Sequence, residues 1–443
     1  MIYLIYISSF LILISIIVFI HELGHFSFAR LFGVRVLDFS IGFGKSISSW
    51  KTKSNTVFNL RILPFGGYVQ MNSEENSLDK NRNDSFESKK YYQKILITLG
   101  GPFFNFLLAL FILFVINLYG VNKVIPIIGD LAPSSLAEYA GLQKRDLILD
   151  IDGNEISSYS DAQLMLSKRL GDSGSIKIKL LRGKDIIFRE IKIIEWLSKE
   201  EPGNLMLSLG IIPPIEPVIG DVLSSSPAEE GGLISGDKII KINETNITDW
   251  SEIRDIVNNE EGAEILVVVE RKELLRTFTI KPKLSEDVMN WQIGVSSAFL
   301  LSSDAKKIIR FGVIRSMQNS FNQTYSVIEN SLIFFKKIIF GQISSKNLGG
   351  PVMIGQYAGE SIIYGGIYSF IYLMAFISIS LGLVNLFPLP VLDGGQALIL
   401  TIERIIGREL PEKLLGIFYK LGGMFLIFLF VFVFFNDIFR IIL

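Results

Sequence analysis

Apolar residues fall into four long runs, at residues 5–28, 95–118, 368–387 and 421–435, with a long mixed region between the second and third. A bilayer-spanning helix needs about 20 mainly apolar residues, so the pattern predicts four transmembrane helices. The first Lys or Arg is Arg30, and no small-residue cleavage site follows the first run. That run therefore reads as a retained anchor rather than a signal peptide. From 36 to 70 apolar and polar positions alternate around Gly42, Gly44, Gly66 and Gly67, which predicts short strands and hairpins lying against the membrane. Residues 83–94 are polar and basic, an amphipathic lead into the second run. Between 305 and 342 apolar positions recur at helical spacing among Lys306, Lys307, Arg310, Arg315, Lys336 and Lys337. This predicts helices on the outer membrane surface.

The mixed region contains an internal repeat. Ile128-Gly129-Asp130, Ala137-Glu138, Gly141-Leu142 and Asp146-Leu147-Ile148 recur as Ile219-Gly220-Asp221, Ala228-Glu229, Gly232-Leu233 and Asp237-Lys238-Ile239. The offset of roughly 91 residues is that of a domain rather than of a solenoid. Each copy reads as strand, short helix, Gly turn, strand, polar turn and second helix, and looks like a PDZ module. Pro213-Pro214 and Glu216-Pro217 suit a stiff link between the copies. PDZ modules bind extended peptides along a sheet edge. Neither copy shows a glycine-rich carboxylate-binding loop, and Gly129-Asp130 and Gly220-Asp221 occupy its place.

Hydrophobic residues make up 49% of the 443 and charged residues 20%, too many charges for a bare helical bundle. A net charge of -1 gives no reason to expect nucleic acid as a partner. Cysteine is absent, which excludes disulfides and thiolate metal sites. The 34 Phe residues cluster in the spans as lipid-facing bulk. Arg30, Arg35, Lys45, Lys51, Lys53, Arg61, Lys80, Arg82, Lys89, Lys90 and Lys94 all lie between spans one and two. Basic residues near the membrane mark the cytoplasmic side, so the repeats are expected outside. Spans one and three then run in the same direction. The basic residues between 305 and 342 oppose this topology, although long translocated domains largely escape the charge rule.

Both histidines of the chain fall in His21-Glu22-Leu23-Gly24-His25. Four residues apart on a helix, the two imidazoles share a face and can converge on one metal ion, with Glu22 beside it as a proton acceptor. This is the H-E-x-x-H zinc-hydrolase signature. With no other His and no Cys, the third ligand must be Asp or Glu. Asp393, just past the third span and behind Pro388 and Pro390, is the best placed; it could instead cap the following helix. Glu403 is the alternative ligand. Gly100-Gly101 reads as a small-residue helix contact, and Asn105 as an amide bonded to a neighbouring helix rather than to substrate.

The motif at the end of a first span, with Asn385, Pro388, Pro390 and Leu392-Asp393-Gly394 after a third, resembles the bacterial site-2 proteases. The closer match is to their RseP-like branch with two extracytoplasmic PDZ modules. Ile41-Gly42-Phe43-Gly44, Leu63-Pro64-Phe65-Gly66-Gly67-Tyr68-Val69 and Gly100-Gly101-Pro102-Phe103-Phe104-Asn105 extend the match over nearly the whole length. The resemblance implies a zinc metalloendopeptidase with Zn2+ on His21, His25 and Asp393, Glu22 as base and Asn385 holding substrate. It implies regulated intramembrane proteolysis of single-span membrane proteins, anti-sigma-factor-like or remnant signal peptides, after a first extracytoplasmic cut.

The expected fold is a polytopic α-helical membrane protein with two inserted α/β PDZ-like domains and a short membrane-associated β region. The expected divisions are 1–30, span one with the motif; 31–94, the β loop; 95–120, span two; 121–210 and 211–285, the modules; 286–364, linker and membrane-surface helices; 365–400, span three with the ligand loop; and 401–443, the region of span four. The chain is expected to be a monomer in the bacterial inner membrane with its modules periplasmic. A catalytically inactive PDZ scaffold is the rival reading, opposed by the intact set of Glu22, both His and Asp393. A transporter would carry charges in several spans, which this chain does not.

Overall fold

The computed structural model describes residues 2–73, 84–199, 203–285, 290–302 and 305–442. Lys80, Arg82 and Asn83, used above, lie outside the described residues. The chain forms two compact units, one of Met1–Gly120, Arg310–Lys336 and Ser345–Leu443, the other of Val121–Ile309 and Lys337–Ser344.

Among the described residues, the first unit holds four helices long and apolar enough to cross a membrane. α1 (Ile2–Leu31) leads into a hairpin of β1 (Val36–Lys51) and β2 (Val57–Met71). The hairpin is longer than the short strands expected, and it curls. The first part of β1 pairs on one side with Val57–Leu60 and on the other with Gly67–Met71, while Ser46–Lys51 pairs with Val57–Arg61. Gly42 (φ 85°), Gly44 (φ 84°) and Gly66 (φ 102°) take the left-handed backbone at its bends. Arg61 pins the curl by donating to Ser40 Oγ, the Gly44 carbonyl and Tyr68 Oη. Phe43, Ile47, Trp50, Leu60 and Ile62 remain exposed, an apolar surface of the kind a membrane covers.

The second apolar run is not one helix. It divides into α2 (Tyr91–Thr98) and α3 (Gly100–Tyr119), with Leu99 between them. Gly24 of α1 and Gly100 of α3 meet backbone to backbone, and a Cβ on Gly24 would fall 2.1 Å from the Gly100 oxygen. Small residues give such contacts in membranes, where apolar burial alone does not drive helices together.

Beyond α4 (Val313–Ile339), α5 (Pro351–Asn385) would measure about 52 Å if straight, against a hydrocarbon core of about 30 Å. It is instead two arms divided at Gly366, whose φ of 64° and ψ of -166° are not helical. In the first arm Gly359 touches Tyr6 and Gly355 touches Phe10, so this arm runs antiparallel to α1. In the second, Ser378 donates to the Asn105 carbonyl and Gly382 lies against Pro102, so this arm runs antiparallel to α3 and with α1. The first arm thus starts about level with the middle of α1, and its first amides have no partner within the helix. Asp437 of α7 (Glu412–Ile442) supplies one. Its buried carboxylate accepts from Gly350, Val352 and Met353 at 2.9, 3.0 and 3.0 Å. α6 (Asp393–Ile406) lies between α5 and α7 in the chain.

The second unit contains two copies of one module. Each has a four-stranded sheet of the same order, with the second strand of the sheet in its sequence at the edge and the first inside. In each, a fully buried aspartate takes a bidentate pair from an arginine, Asp146 from Arg182 at 2.8 Å and Asp237 from Arg271 at 2.7 Å. The same arginines reach the Gly141 and Gly232 carbonyls. These hydrogen bonds raise both guanidinium pKa values. The segment expected to be linker from 286 contributes strands instead: Asn290–Gln292 pairs with Lys283–Ser285, and Val295–Ser297 with Ile219–Val222. Lys306–Ile309, expected to be helical, pairs with Val121–Val124, because a partner strand from the start of the unit is available. Both ends of the inserted region therefore leave through one ladder. The helix begins only at Val313.

Asp437→Ala should strand three buried amides and lower stability on the order of 3 kcal/mol, with Asp437→Asn, which keeps one acceptor, losing less. Unfolding of the detergent-solubilised protein reads this, and an Ala variant as stable as the parent would show that water caps the arm.

Candidate metal centre

The site forms where α1 ends among apolar neighbours. One helical turn puts His21 and His25 on one face, their rings 5.0 Å apart between centroids and at 79° to each other. Their Nε2 atoms face each other at 3.3 Å. Asp393 reaches the same point, with Oδ2 3.2 Å from His21 Nε2 and Oδ1 3.5 Å from His25 Nε2. One ligand atom from each of the three lies within 4.8 Å of the others. Asp393 starts α6 after the turn forced by Pro388 and Pro390, but makes no side-chain cap there. The capping role left open above is not taken up. Glu403 accepts from the Leu410 amide instead.

Three glycines shape the space. Gly101 opens onto the imidazoles: a Cβ there would lie 2.4 Å from His25 Nε2 and 2.6 Å from His21 Nε2. Gly67 of β2 lies against Glu22, with a would-be Cβ 2.9 Å from Glu22 Cγ. Gly100, as above, sets the distance between α1 and α3. Of the pair read as a helix contact, only Gly100 serves that purpose, while Gly101 keeps the site open.

The atoms behind the imidazoles were not legible in the sequence. His25 Nδ1 is 2.9 Å from the Ile97 carbonyl, near the end of α2 and just before the chain breaks at Leu99. His21 Nδ1 lies 3.2 Å from the Asn105 amide. Asn105 thus bonds a neighbouring helix, and the neighbour is a candidate ligand. The Gly100–Asn105 spacing was the one signal available.

The donor set fits a divalent cation. Two imidazole nitrogens and a carboxylate converge, and Asp393 Oδ2 is buried without a hydrogen-bond partner although His21 Nε2 is 3.2 Å away. Burial pushes the Asp393 carboxyl up, but the two facing imidazoles outweigh it and hold it down at about 2. It is therefore a carboxylate, the form that takes a cation. A cavity of about 530 Å³ opens beside the cluster, lined among others by Glu22, Tyr68, Val69, Asn385 and Gln396. Nitrogen and oxygen donors in this number suit zinc with one position left open.

A model of Peptidase family M50 matches residues 9–429. The chain is 35% identical over 442 residues to a regulator of sigma E protease of Haemophilus influenzae, covering 98% of each chain. It is 31% identical over 444 residues to regulator of sigma-E protease RseP of Escherichia coli K12, again covering 98% of each. A putative zinc metalloprotease of Vibrio cholerae is 32% identical over 451 residues, with 98% of both covered.

Gly101→Ala should sharply reduce bound zinc, because its methyl group would stand against both Nε2 atoms. Gly423→Ala, which meets nothing within 4 Å, is the control. Zinc content by atomic absorption reads both, and full occupancy in the Gly101 variant would place the metal elsewhere.

Proposed function

The chain belongs to Peptidase family M50, the site-2 proteases, and on that premise we propose that it cuts single-span membrane proteins inside the bilayer after a first cut has trimmed them on the outer side. It is a zinc metalloprotease of that family, and its four long apolar helices make it a membrane protein. The convergence of His21, His25 and Asp393 beside Glu22, at matching ends of two parallel spans, carries the reading. Anti-sigma-factor-like proteins and remnant signal peptides are the substrate classes we assign. The inner membrane is the location that the relatives' names and the apolar helices support.

His21, His25 and Asp393 would hold the zinc ion. Bound there, zinc supplies Lewis acidity to the scissile carbonyl and lowers the pKa of a water towards about 7. Glu22 takes a proton from the attacking water and hands it to the leaving amine. Its place against Gly67 keeps the carboxylate beside the cavity. Asn385 lines the same cavity, where its amide can hold the substrate backbone.

A helical substrate hides its peptide bonds in its own hydrogen bonds, so it must unwind before it is cut. Gly67–Met71 is the edge of the curled hairpin, paired on one side among the described residues, and Gly67, Tyr68, Val69 and Met71 line the cavity. An extended substrate can add to that edge as a further strand.

The two repeated modules we read as PDZ-like domains on the periplasmic side that exclude untrimmed substrates by bulk. Asp130, at the place of a carboxylate-binding loop, is instead paired with Lys144 and Arg254, and the cavity of about 430 Å³ beside it is lined by Asp249, Glu252 and Asp255 as well as by Lys144 and Arg145. In the second module a cavity of about 250 Å³ lies between the helix Trp250–Asn259 and the strands Asn290–Gln292 and Val295–Ser297.

Glu22→Gln should keep its zinc and lose cleavage of a single-span test substrate, whereas Asp393→Ala should lose both. Normal cleavage by the first variant removes Glu22 from the chemistry, and full zinc in the second makes another carboxylate the ligand. Because Val121 pairs with Ile309, the region between them can be excised with its ends adjacent. Excision should admit substrates with large outer domains and leave the rate on short ones within about twofold. Slower cleavage of short substrates, with long ones still refused, would mean that the modules deliver substrate rather than exclude it.

A further inference from the structure

His21 can give Nε2 to a metal only if Nδ1 carries the proton, because a neutral imidazole has one N–H. That N–H then needs an acceptor, since Nδ1 faces the fully buried Asn105 rather than the cavity. For His25 the acceptor is the Ile97 carbonyl at 2.9 Å. For His21, the polar group recorded at hydrogen-bond distance from Nδ1 is the side-chain amide of Asn105, at 3.2 Å. As placed, the amide turns Nδ2 towards that nitrogen and leaves Oδ1 buried with no partner. A donor would then face a donor. Turning the amide by 180° exchanges two groups of nearly the same shape and puts Oδ1 on the Nδ1–H.

We propose that Asn105 is a positioning residue for the metal centre: its amide oxygen accepts from His21 Nδ1, fixing the tautomer and ring angle that direct Nε2 to the ion. The inference rests on His21 being a ligand, and it adds the group that makes it one. Asn105 is suited to this by how firmly it is held. It is fully buried. Ser378 Oγ donates to its backbone carbonyl at 2.8 Å, and Gly382 leaves room for its side chain, with a would-be Cβ 3.4 Å from Asn105 Cβ. The second arm of α5 therefore holds Asn105 from behind while Asn105 holds His21. The same arm leads through Asn385 to Asp393, so two of the three ligands take their positions from one helix.

The test is zinc affinity, measured on the detergent-solubilised full-length protein by competition with a chromophoric chelator, together with the visible spectrum of the cobalt-loaded protein. Asn105→Leu keeps the volume and removes the acceptor. It should weaken zinc 10–100-fold, the range usual for groups behind metal ligands, and alter the cobalt bands. Asn105→Asp keeps the acceptor and should hold zinc at least as tightly as the parent, with parental cobalt bands. A merely structural role would make both variants equally weak, and that result overturns the proposal, as does parental affinity in Asn105→Leu. If the Leu variant fails to fold, the Asp variant decides alone: weakened zinc rejects the proposal and retained zinc supports it. His21→Ala in the same assay separates the two readings. Unchanged affinity there removes His21 from the ligand set, whereas weakened affinity there with a parental Asn105→Leu removes only the role of Asn105.

Discussion

Three candidate ligand atoms stand within 4.8 Å of one another at the ends of helices that have little reason to associate in lipid. The membrane unit is organised around that convergence. Two atoms come from one turn of α1 and cost no long-range order. The third arrives from a loop more than 360 residues later in the sequence, and only the packing of α1, α3 and α5 brings it there. Gly24 and Gly100 set the separation of α1 and α3, Gly101 leaves the ligand atoms unobstructed, and Ser378 and Gly382 seat α5 on α3. A side chain at Gly24 or Gly100 would push two backbones apart. It would move His21 away from Asn105 as well as from Asp393.

The same helices show how polar groups survive in the bilayer unit. An unpaired donor there costs several kcal/mol, and the free amides at the start of the first arm of α5 have a partner. Asp437 is the clearest case. A charge near the end of a span is usually drawn to the interface, yet this one is buried and bonded to three amides of a helix that starts partway across. The carboxylate and the broken helix require each other, since either alone would be an unmatched polar group. Beside it Asn436 donates to the Lys346 and Leu348 carbonyls and Arg440 to the Lys346 carbonyl, while α7 leaves Phe425, Phe428, Phe430 and Phe435 exposed.

What the sequence made legible was whatever depends on residues close together. The i, i+4 histidines with Glu22 between them, the spans and the duplicated module are of this kind. Elimination left only Asp or Glu for the third ligand, because no other His or Cys exists, and Asp393 was the best placed of these. The break at Leu99 was not legible, because Ile95 to Leu118 is apolar but for Thr98, Asn105 and Asn117, and the signal for the interruption, Gly100-Gly101-Pro102, also suits a helix packing face. Lys306–Ile309 spaces its apolar residues as a helix or a strand would. Its choice is made by Val121–Val124, far away in the sequence. The cap given by Asp437 and the bond between Asn105 and His21 are also long-range pairings. In each, one half of the pair carries no mark that it has a partner.

The repeat shows a related division between what was copied and what diverged. Asp146 with Arg182 and Asp237 with Arg271 occupy the same place in both modules and fix the same Gly turn. They belong to the fold of one module. Asp130 and Asp221 are equivalent in the repeat but differ in surroundings. Asp221 stays exposed beside Ser296, while Asp130 is buried between Lys144 of its own module and Arg254 of the next. Burial pushes the Lys144 ammonium pKa down, but Asp255 and Asp130 outweigh it and leave it raised, so this lysine stays charged at neutral pH. Exposed ion pairs such as Arg145 with Glu252 contribute about 0–1 kcal/mol. A buried carboxylate facing two cations is different, because leaving it unmatched is costly. Asp130 thus joins Lys144 of one module to Arg254 of the other, beside the more exposed pairs of Lys144 with Asp255 and Arg145 with Glu252.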